Sequence, residues 1–353
     1  MRLEKRNTHS PLAMVLAPLG AVATTLLVAS LLVLWAGAPV AQTYGLMLQG
    51  GFGSVFALSE TLTRAIPLML TGLAAAVAFK ARLFNIGAEG QLYVGALAGV
   101  AVGGLHGGTG FDLPPTLLFM LMLLAAALAG ALLLLGPALM KAHLGVDEVV
   151  TTLLLNFIVL LLVSLMLDGP MKDPTAMGWP QSVALVPDLE LGKLIAQTRL
   201  HTGLLGASVL AVLVWVLMKY TVLGFVIRAV GANPRAAAFA GVPVTRTVVL
   251  VAMISGGLAG LAGAIEVAGR TSYLTLDMSP GYGYSGIVIA MLAALHPLGV
   301  VAGSVFVAGV LVGADSMSRT IGVPTYIADV IVAASLISVL IATLLTQYRV
   351  RLK

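Results

Sequence analysis

Long apolar runs recur along the chain, separated by short polar gaps, and their lengths set the first expectation. The first run covers residues 12–35 and follows Arg2, Lys5 and Arg6. Others follow at 59–79, 86–105, 115–139 and 149–167. After a polar stretch come 201–218 and 248–267, then three shorter or broken runs at 279–295, 298–313 and 326–345. A helix needs about 20 apolar residues to cross a bilayer. The pattern therefore predicts an all-α polytopic membrane protein with about ten transmembrane helices. Ala36-Gly37-Ala38 would suit a signal peptidase. The run before it is longer than the ~7–15 residues of a signal h-region, however, and reads as a retained span. Residues 39–58, half apolar and interrupted by glycine, read as a short helix along the outer surface.

Composition closes off the soluble alternatives. Of 353 residues, 59% are hydrophobic and 9% charged, against about 25% charged in a soluble domain. Too little chain is left between the spans for a separate soluble enzyme domain. Cysteine is absent, which excludes disulfides, thiolate metal sites and Cys nucleophiles. The net charge of +5 is no nucleic-acid signal in such a chain, where the placement of the positives matters instead. With the N-terminus inside, the inner side holds Arg2, Lys5, Arg6, Lys80, Arg82, Lys141, Lys219, Arg228, Arg235, Arg246, Arg349, Arg351 and Lys353. The outer side holds Arg64, Lys172, Lys193, Arg199, Arg270 and Arg319. That asymmetry predicts an even number of spans with both termini cytoplasmic.

Five spans in residues 1–167 precede an external loop, 168–199, and five follow in 200–353. The loop holds Pro170, Pro174, Pro180, Pro187 and Trp179, and reads as ordered rather than as a floppy linker. An internal basic loop spans 219–246. An odd number of spans per half gives the halves opposite orientations, the arithmetic of a 5+5 inverted repeat seen in many transporters. The strings GLAAAVAF from Gly72 and GLAGLAGA from Gly257 are similar and lie in the second span of each half.

Few catalytic or cofactor motifs survive inspection. The Gly192-Lys193 pair lacks the rest of a phosphate-binding loop. Residues 281–286 match G-x-G-x-x-G, but they follow no predicted strand, so a close-packed or broken helix is the better account. His106 and His201 fall at external span ends, and His143 and His296 at internal ones. With no carboxylate cluster beside them, no metal site, cofactor or catalytic group is expected. The pairs Gly99/Gly103 and Gly256/Gly260 place small residues on one helix face, where helices approach closely.

Two clusters stand out. In residues 84–91, Asn85, Glu89 and Gln91 interrupt an apolar stretch, and Gly87 and Gly90 loosen the backbone around them. Ionisable groups at membrane depth are costly and mark pathways or partners. The cluster reads as lining a substrate path or forming the hinge that shapes it; the plainer alternative is a cytoplasmic turn beside Lys80 and Arg82. Its counterpart in the second half is 281–286, and interrupted segments at matching positions point to a transport site. Asn156 joins these candidates. Glu266 does too, although its place near the outer end of its span also suits simple pairing with Arg270. The second cluster is 231–241, where Asn233 suits an N-cap, Pro234 the first helical position and Gly241 the C′ position. The resulting helix is too short to stand alone. It either lies on the membrane or docks a soluble partner, which Ala236 and Ala237 would let approach.

The segments FNIGAEGQ, IPLMLTGLAAAVAFKARL, GANPRAAAFAGV and GYGYSGIVIAMLAALHPLGVV together resemble the permease subunits of bacterial ABC importers for nucleosides and simple sugars. The resemblance covers about residues 46–345. The long N-terminal section resembles the larger of two paired permeases in purine-nucleoside importers. It implies a single transmembrane permease domain over 1–353 in the bacterial inner (plasma) membrane. Implied partners are an ATP-binding cassette ATPase that hydrolyses ATP, a second permease subunit (a heterodimer, with a homodimer as the alternative) and a periplasmic or lipid-anchored substrate-binding protein. It also implies that 233–241 is the ATPase-coupling helix, carried by Asn233, Pro234, Arg235, Ala236, Ala237 and Gly241. The rival reading is an ion-coupled secondary transporter with Glu89 or Glu266 as its intramembrane carboxylate. A stand-alone carrier has no need of the capped 233–241 helix.

Overall fold

Polar and glycine-rich interruptions decide where the helices of this chain end. The structure is a computed structural model that describes residues 2–5, 11–104, 113–322, 348–351 and parts of 324–341. In chain order the helices are α1 (Pro11–Trp35), α2 (Val40–Phe52), α3 (Val55–Lys80), α4 (Ala88–Gly103), α5 (Pro115–Leu144), α6 (Glu148–Asp168) and α7 (Gly203–Tyr220). Then follow α8 (Val222–Ala232), α9 (Pro234–Phe239), α10 (Val244–Glu266), α11 (Tyr282–Leu292) and α12 (Pro297–Ile321). The ends obey local chemistry. Helix α5 starts on a proline at its first turn and stops at Gly145, which adopts the left-handed φ of 67°. Asp147 then caps α6 by accepting from the Val149 N–H at 2.8 Å.

Each of the first nine expected spans contains a helix; much of the tenth, 326–345, lies outside the described residues, as does His106. Among the described residues six helices are long and apolar enough to cross a membrane, or seven with the bent pair α1–α2 counted as one. Helices α4 and α11 fall short of that length because turns take residues at both ends of the expected runs, at 86–87 and 104 for α4 and at 279–281 and 293–295 for α11. Residues 39–58 do form a helix, α2, which turns 113° from the direction of α1. One departure from an all-helical chain appears at the termini. Arg2–Lys5 (β1) and Tyr348–Arg351 (β2) pair antiparallel with Arg2 opposite Arg351. Both are short segments whose apolar and polar residues roughly alternate, the two-residue period of a strand.

The chain forms two compact units, Met1–Thr61 with Phe306–Lys353, and Leu62–Val305. In the first, Ala29, Val33, Met47, Ala314, Met317 and Ile327 share one buried core. Helix α2 lies tightly on the second half of α12: a methyl group on Gly51 would overlap the Gly309 carbonyl, and one on Gly313 the Met47 carbonyl.

The second unit is built around α10, which packs against both α4 and α5. Gly256 and Gly260 meet Gly130 and Ala126 of α5 backbone to backbone, and Gly263 meets Leu92 of α4 in the same way. Without an aqueous hydrophobic drive between helices, such close packing is what holds a bundle together in lipid. The outer helices differ. Leu121, Leu124, Leu128 and Leu132 of α5, Leu154, Phe157, Ile158 and Leu161 of α6, and Leu205, Val209 and Leu213 of α7 are exposed. An apolar face turned outward is the mark of a lipid-facing helix.

The segment between α6 and α7 is ordered, as its prolines imply. Its backbone pairs at Lys172 with Ser182, Gln181 with Thr275, and Lys193 with His201. Its own Leu185, Leu189 and Leu200 are buried. At its start the Thr175 hydroxyl and N–H hold the Asp173 carboxyl below its ordinary range.

Candidate functional site

The break between α3 and α4 is built from amide side chains that stand in for missing helical hydrogen bonds. Asn85 and Gln91 exchange two amide hydrogen bonds at 2.9 Å each. Asn85 Oδ1 also accepts from the Gly87 N–H at 2.9 Å. Its Nδ2 donates to Ser255 Oγ on α10 at 3.1 Å, and that hydroxyl donates to the Ala74 carbonyl of α3. Asn85 thus ties three helices to the turn it sits in, with no exposed surface of its own.

A polar stripe on α6 holds the same turn from the other side. Glu148 accepts from the Phe84 N–H at 3.1 Å, Thr152 from the Ile86 N–H at 3.2 Å and Asn156 from the Gly90 N–H at 2.8 Å. These three residues are spaced by four, so they share one face of the helix. Asn156 Nδ2 donates back to the Ile86 carbonyl at 2.9 Å and to Tyr284 Oη at 3.0 Å. Lys141 completes the clamp by pairing with Glu148 and donating to the Arg82 carbonyl. Sequence reasoning found Asn156 but missed Glu148 and Thr152. Their signal was present as polar residues at a spacing of four before Asn156 on an otherwise apolar helix.

Glu89 does something different. Its Oε2 accepts from the N–H of Gly283, in the first turn of α11, at 2.6 Å. The preceding Tyr282 N–H donates to Ser279 Oγ at 2.9 Å. A carboxylate at a helix N-terminus satisfies an orphan donor and complements the helix dipole. The approach requires glycine, because a methyl group on Gly283 would overlap the backbone of Ala88 and Glu89. Gly281 allows α11 to start there by taking a φ of 84°. The two glycine-broken segments of the chain therefore meet, start to start.

Glu266 pairs with Arg270 at 2.5 Å, and Arg270 donates onward to Tyr282 Oη at 3.1 Å. The four-residue spacing crosses into the π-helical turn Val267–Thr271 that ends α10. All five path-or-hinge candidates are buried, and each is hydrogen-bonded or ion-paired in one of several separate sets around α4, the end of α10 and the start of α11. Among the described residues no group of three or more His, Asp or Glu comes together as metal ligands would.

The short helix α9 lies at the opposite pole of local design, capped at both ends and turned outward. Asn233 Oδ1 accepts from the N–H groups of Arg235 and Ala236, each at 3.1 Å. At the other end the Val242 N–H reaches the Ala237 carbonyl and the Gly241 N–H the Ala238 carbonyl, with Gly241 at φ 82°. That is the double bond pattern of a Schellman stop. Ala236, Ala238 and Phe239 face outward, and Phe239 is 97% exposed. Ala237 is buried, so the surface this helix offers is made by its neighbours and not by Ala237 itself. Two residues before the cap, Gly231 abuts the Lys80 carbonyl and Ala81, with no room for a side chain. The end of α8, which leads directly into α9, thereby rests on residues 80–81, where the turn that carries Asn85 begins.

Residues 57–340 match the family described as branched-chain amino acid transport system / permease component. The chain is 35% identical over 331 residues to the guanosine ABC transporter permease protein NupP of Bacillus subtilis, covering 93% of this chain and 92% of that one. It is 37% identical over 321 residues to the glucose ABC transporter permease protein TsgB13 of Haloferax volcanii, covering 88% and 82%. It is 31% identical over 329 residues to the nucleoside ABC transporter permease protein NupB of Lactococcus lactis, covering 91% and 89%.

Proposed function

Since this chain belongs to the permease-component family of branched-chain amino acid transport systems, we propose that it is the membrane-spanning half of an ABC importer whose solute is a nucleoside. A simple sugar is the second reading, because relatives named for nucleosides and for glucose match it about equally. In this reading ten spans arranged as a 5+5 inverted repeat cross the bacterial inner membrane with both termini cytoplasmic. The antiparallel pairing of Arg2–Lys5 with Tyr348–Arg351 supports an even number of spans, since it puts the two ends of the chain side by side. The partners are a separate ATPase subunit, a second permease and a binding protein that delivers solute from outside.

The observation that carries this proposal is α9. A six-residue helix has no stability of its own, yet this one is capped at both ends and presents Phe239 and two alanines outward. A bulky aromatic on a small-residue surface is a plug for a partner's groove. In the mechanism proposed, closure of the ATPases pushes α9, and the push passes through Gly231 to Lys80 and Ala81. From there it reaches Asn85 and the start of α4, and through Glu89 the start of α11. Asn85, Glu89, Gln91 and Asn156 act as the hinge, with Glu266 and Arg270 linking it to the end of α10. A mobile break needs its backbone donors satisfied without a continuous helix, which these side chains provide.

The test is reconstitution. The chain alone in liposomes should neither hydrolyse ATP nor take up solute, while the complex with its ATPase should do both. Uptake by the chain alone, driven by a proton or sodium gradient, would replace this reading with the ion-coupled carrier.

A further inference from the structure

Three cationic side chains from distant parts of the chain line one cavity of about 240 Å³: Lys80 at the end of α3, Lys219 in the last turn of α7 and Arg228 on α8, with His296 just before α12 beside them. None of the residues lining it is acidic. The lysine and arginine charges gathered there repel one another, and an anion seated among them would relieve that repulsion.

Its walls are built rather than incidental. Arg228 donates to the Met218 carbonyl, which anchors it to the end of α7. Lys219 Nζ lies 5.1 Å from the Trp215 ring centroid and 5.2 Å from that of Tyr220. On the far side, Ala294 and Leu295 take φ values of 49° and 58°. Two successive non-glycine residues in the left-handed region are costly and persist where the surroundings demand them. Here they turn the chain so that His296 and Pro297 line the cavity, while His296 Nδ1 caps α12 by accepting from the Gly299 N–H at 3.4 Å.

The neighbouring surface identifies the anion. Leu205, Val209, Val212, Leu213 and Val216 of α7 are exposed, an apolar strip that runs down to Trp215, Lys219 and Tyr220. Trp, Tyr and Lys at the end of a lipid-facing helix mark the headgroup level. We propose that this cavity binds the phosphate headgroup of an anionic phospholipid, with the acyl chains lying along the outer face of α7. The shared chemistry is a phosphate monoanion or diester, and the apolar strip commits it to lipid rather than to a soluble phosphate or an acidic protein segment. The proposal is independent of which solute is carried.

The test uses the full-length chain in phosphatidylcholine nanodiscs, titrated with phosphatidylglycerol and read by thermal unfolding and by lipid retained in native mass spectrometry. Phosphatidylglycerol should bind and raise the unfolding temperature, and further phosphatidylcholine should not. Lys80→Gln and Lys219→Gln should each weaken that binding about fivefold, the usual worth of one basic side chain near an anionic surface. Lys219→Arg should keep it. If the glutamine variants unfold early, Lys219→Gln and Lys219→Arg are compared at a temperature where both are folded, and only the first should lose lipid. Equal phosphatidylglycerol binding by wild type and Lys219→Gln overturns the proposal. So does an equal stabilisation by inorganic phosphate without lipid. Loss of ATPase binding in the glutamine variants with lipid retention unchanged would assign the cavity to a protein partner instead.

Discussion

Glu89 and Gly283 are 194 positions apart, yet the Glu89 carboxylate caps the helix whose first turn holds Gly283, at 2.6 Å from its N–H. One side chain thereby joins the two glycine-broken segments of the chain. An ion-coupled carrier would use such a carboxylate as a proton or sodium site; here one of its two oxygens, Oε2, accepts from a backbone donor.

That difference yields the first prediction. Glu89→Gln retains an amide oxygen that can accept from Gly283, whereas Glu89→Ala leaves the buried N–H bare at a cost of ~1–3 kcal/mol. Glu89→Gln should assemble with its ATPase and keep most solute uptake. Glu89→Ala should melt earlier and lose uptake. Uptake measured in proteoliposomes checks both, and abolition of transport by Glu89→Gln would instead point to a titrating carboxylate.

A second prediction concerns the α6 stripe. Asn156 makes hydrogen bonds to Gly90, Ile86 and Tyr284, so Asn156→Leu removes them all and leaves the Gly90 donor unsatisfied. The cost should be ~1–3 kcal/mol, concentrated in the break and not spread over the helices. Hydrogen exchange should accelerate at residues 84–91 while α10 stays protected. Uniform acceleration across the unit would show that the residue merely supports global packing.

How much of this was legible in the sequence depends on whether the signal was local. The capping of α9 was, because Asn233, Pro234 and Gly241 each carry a backbone preference readable within a few residues. Asn85, Glu89 and Gln91 announced themselves as polar groups in an apolar stretch. What they bind did not: the partners of Asn85 and Glu89 include Ser255 and Gly283, over 160 positions away, and no periodicity encodes such pairings. The short α4 was read as a full span because apolar content was counted through the break, whereas the run that holds α11 already read as short or broken. Ala237 was read as part of an outward surface because a six-residue helix has too few turns for its inward face to be told from its pattern.

A third prediction tests the path from α9 to the hinge. Gly231 has no space beside the Lys80 carbonyl, so Gly231→Ala must push the end of α8 away from residues 80–81. The six-residue helix itself, with its caps, is untouched. The variant should still bind the ATPase, and its ATP hydrolysis should no longer respond to solute. Normal solute-stimulated hydrolysis would mean that force reaches the bundle by another route.

The last prediction separates what α9 shows to a partner from what it needs to exist. Phe239 is exposed and makes the largest outward projection of the helix. Phe239→Ala should leave α9 folded, since neither cap depends on that ring, and should weaken co-purification with the ATPase. Ala236→Glu, also outward, should do the same by placing an unpaired charge in the interface. Ala237→Glu acts differently: the side chain is buried, so a carboxylate there must be expelled and the helix disrupted. Asn233→Ala should cost about 1 kcal/mol through its lost cap and give a milder version of that same disruption. Limited proteolysis of residues 228–246 reads the difference. Phe239→Ala and Ala236→Glu should resist cleavage like the wild type, while Ala237→Glu should be cut readily even in detergent with no partner present. Were Phe239→Ala and Ala236→Glu to bind the ATPase and transport at the normal rate, α9 would be a membrane-surface helix, and the coupling route through Gly231 would lose its origin.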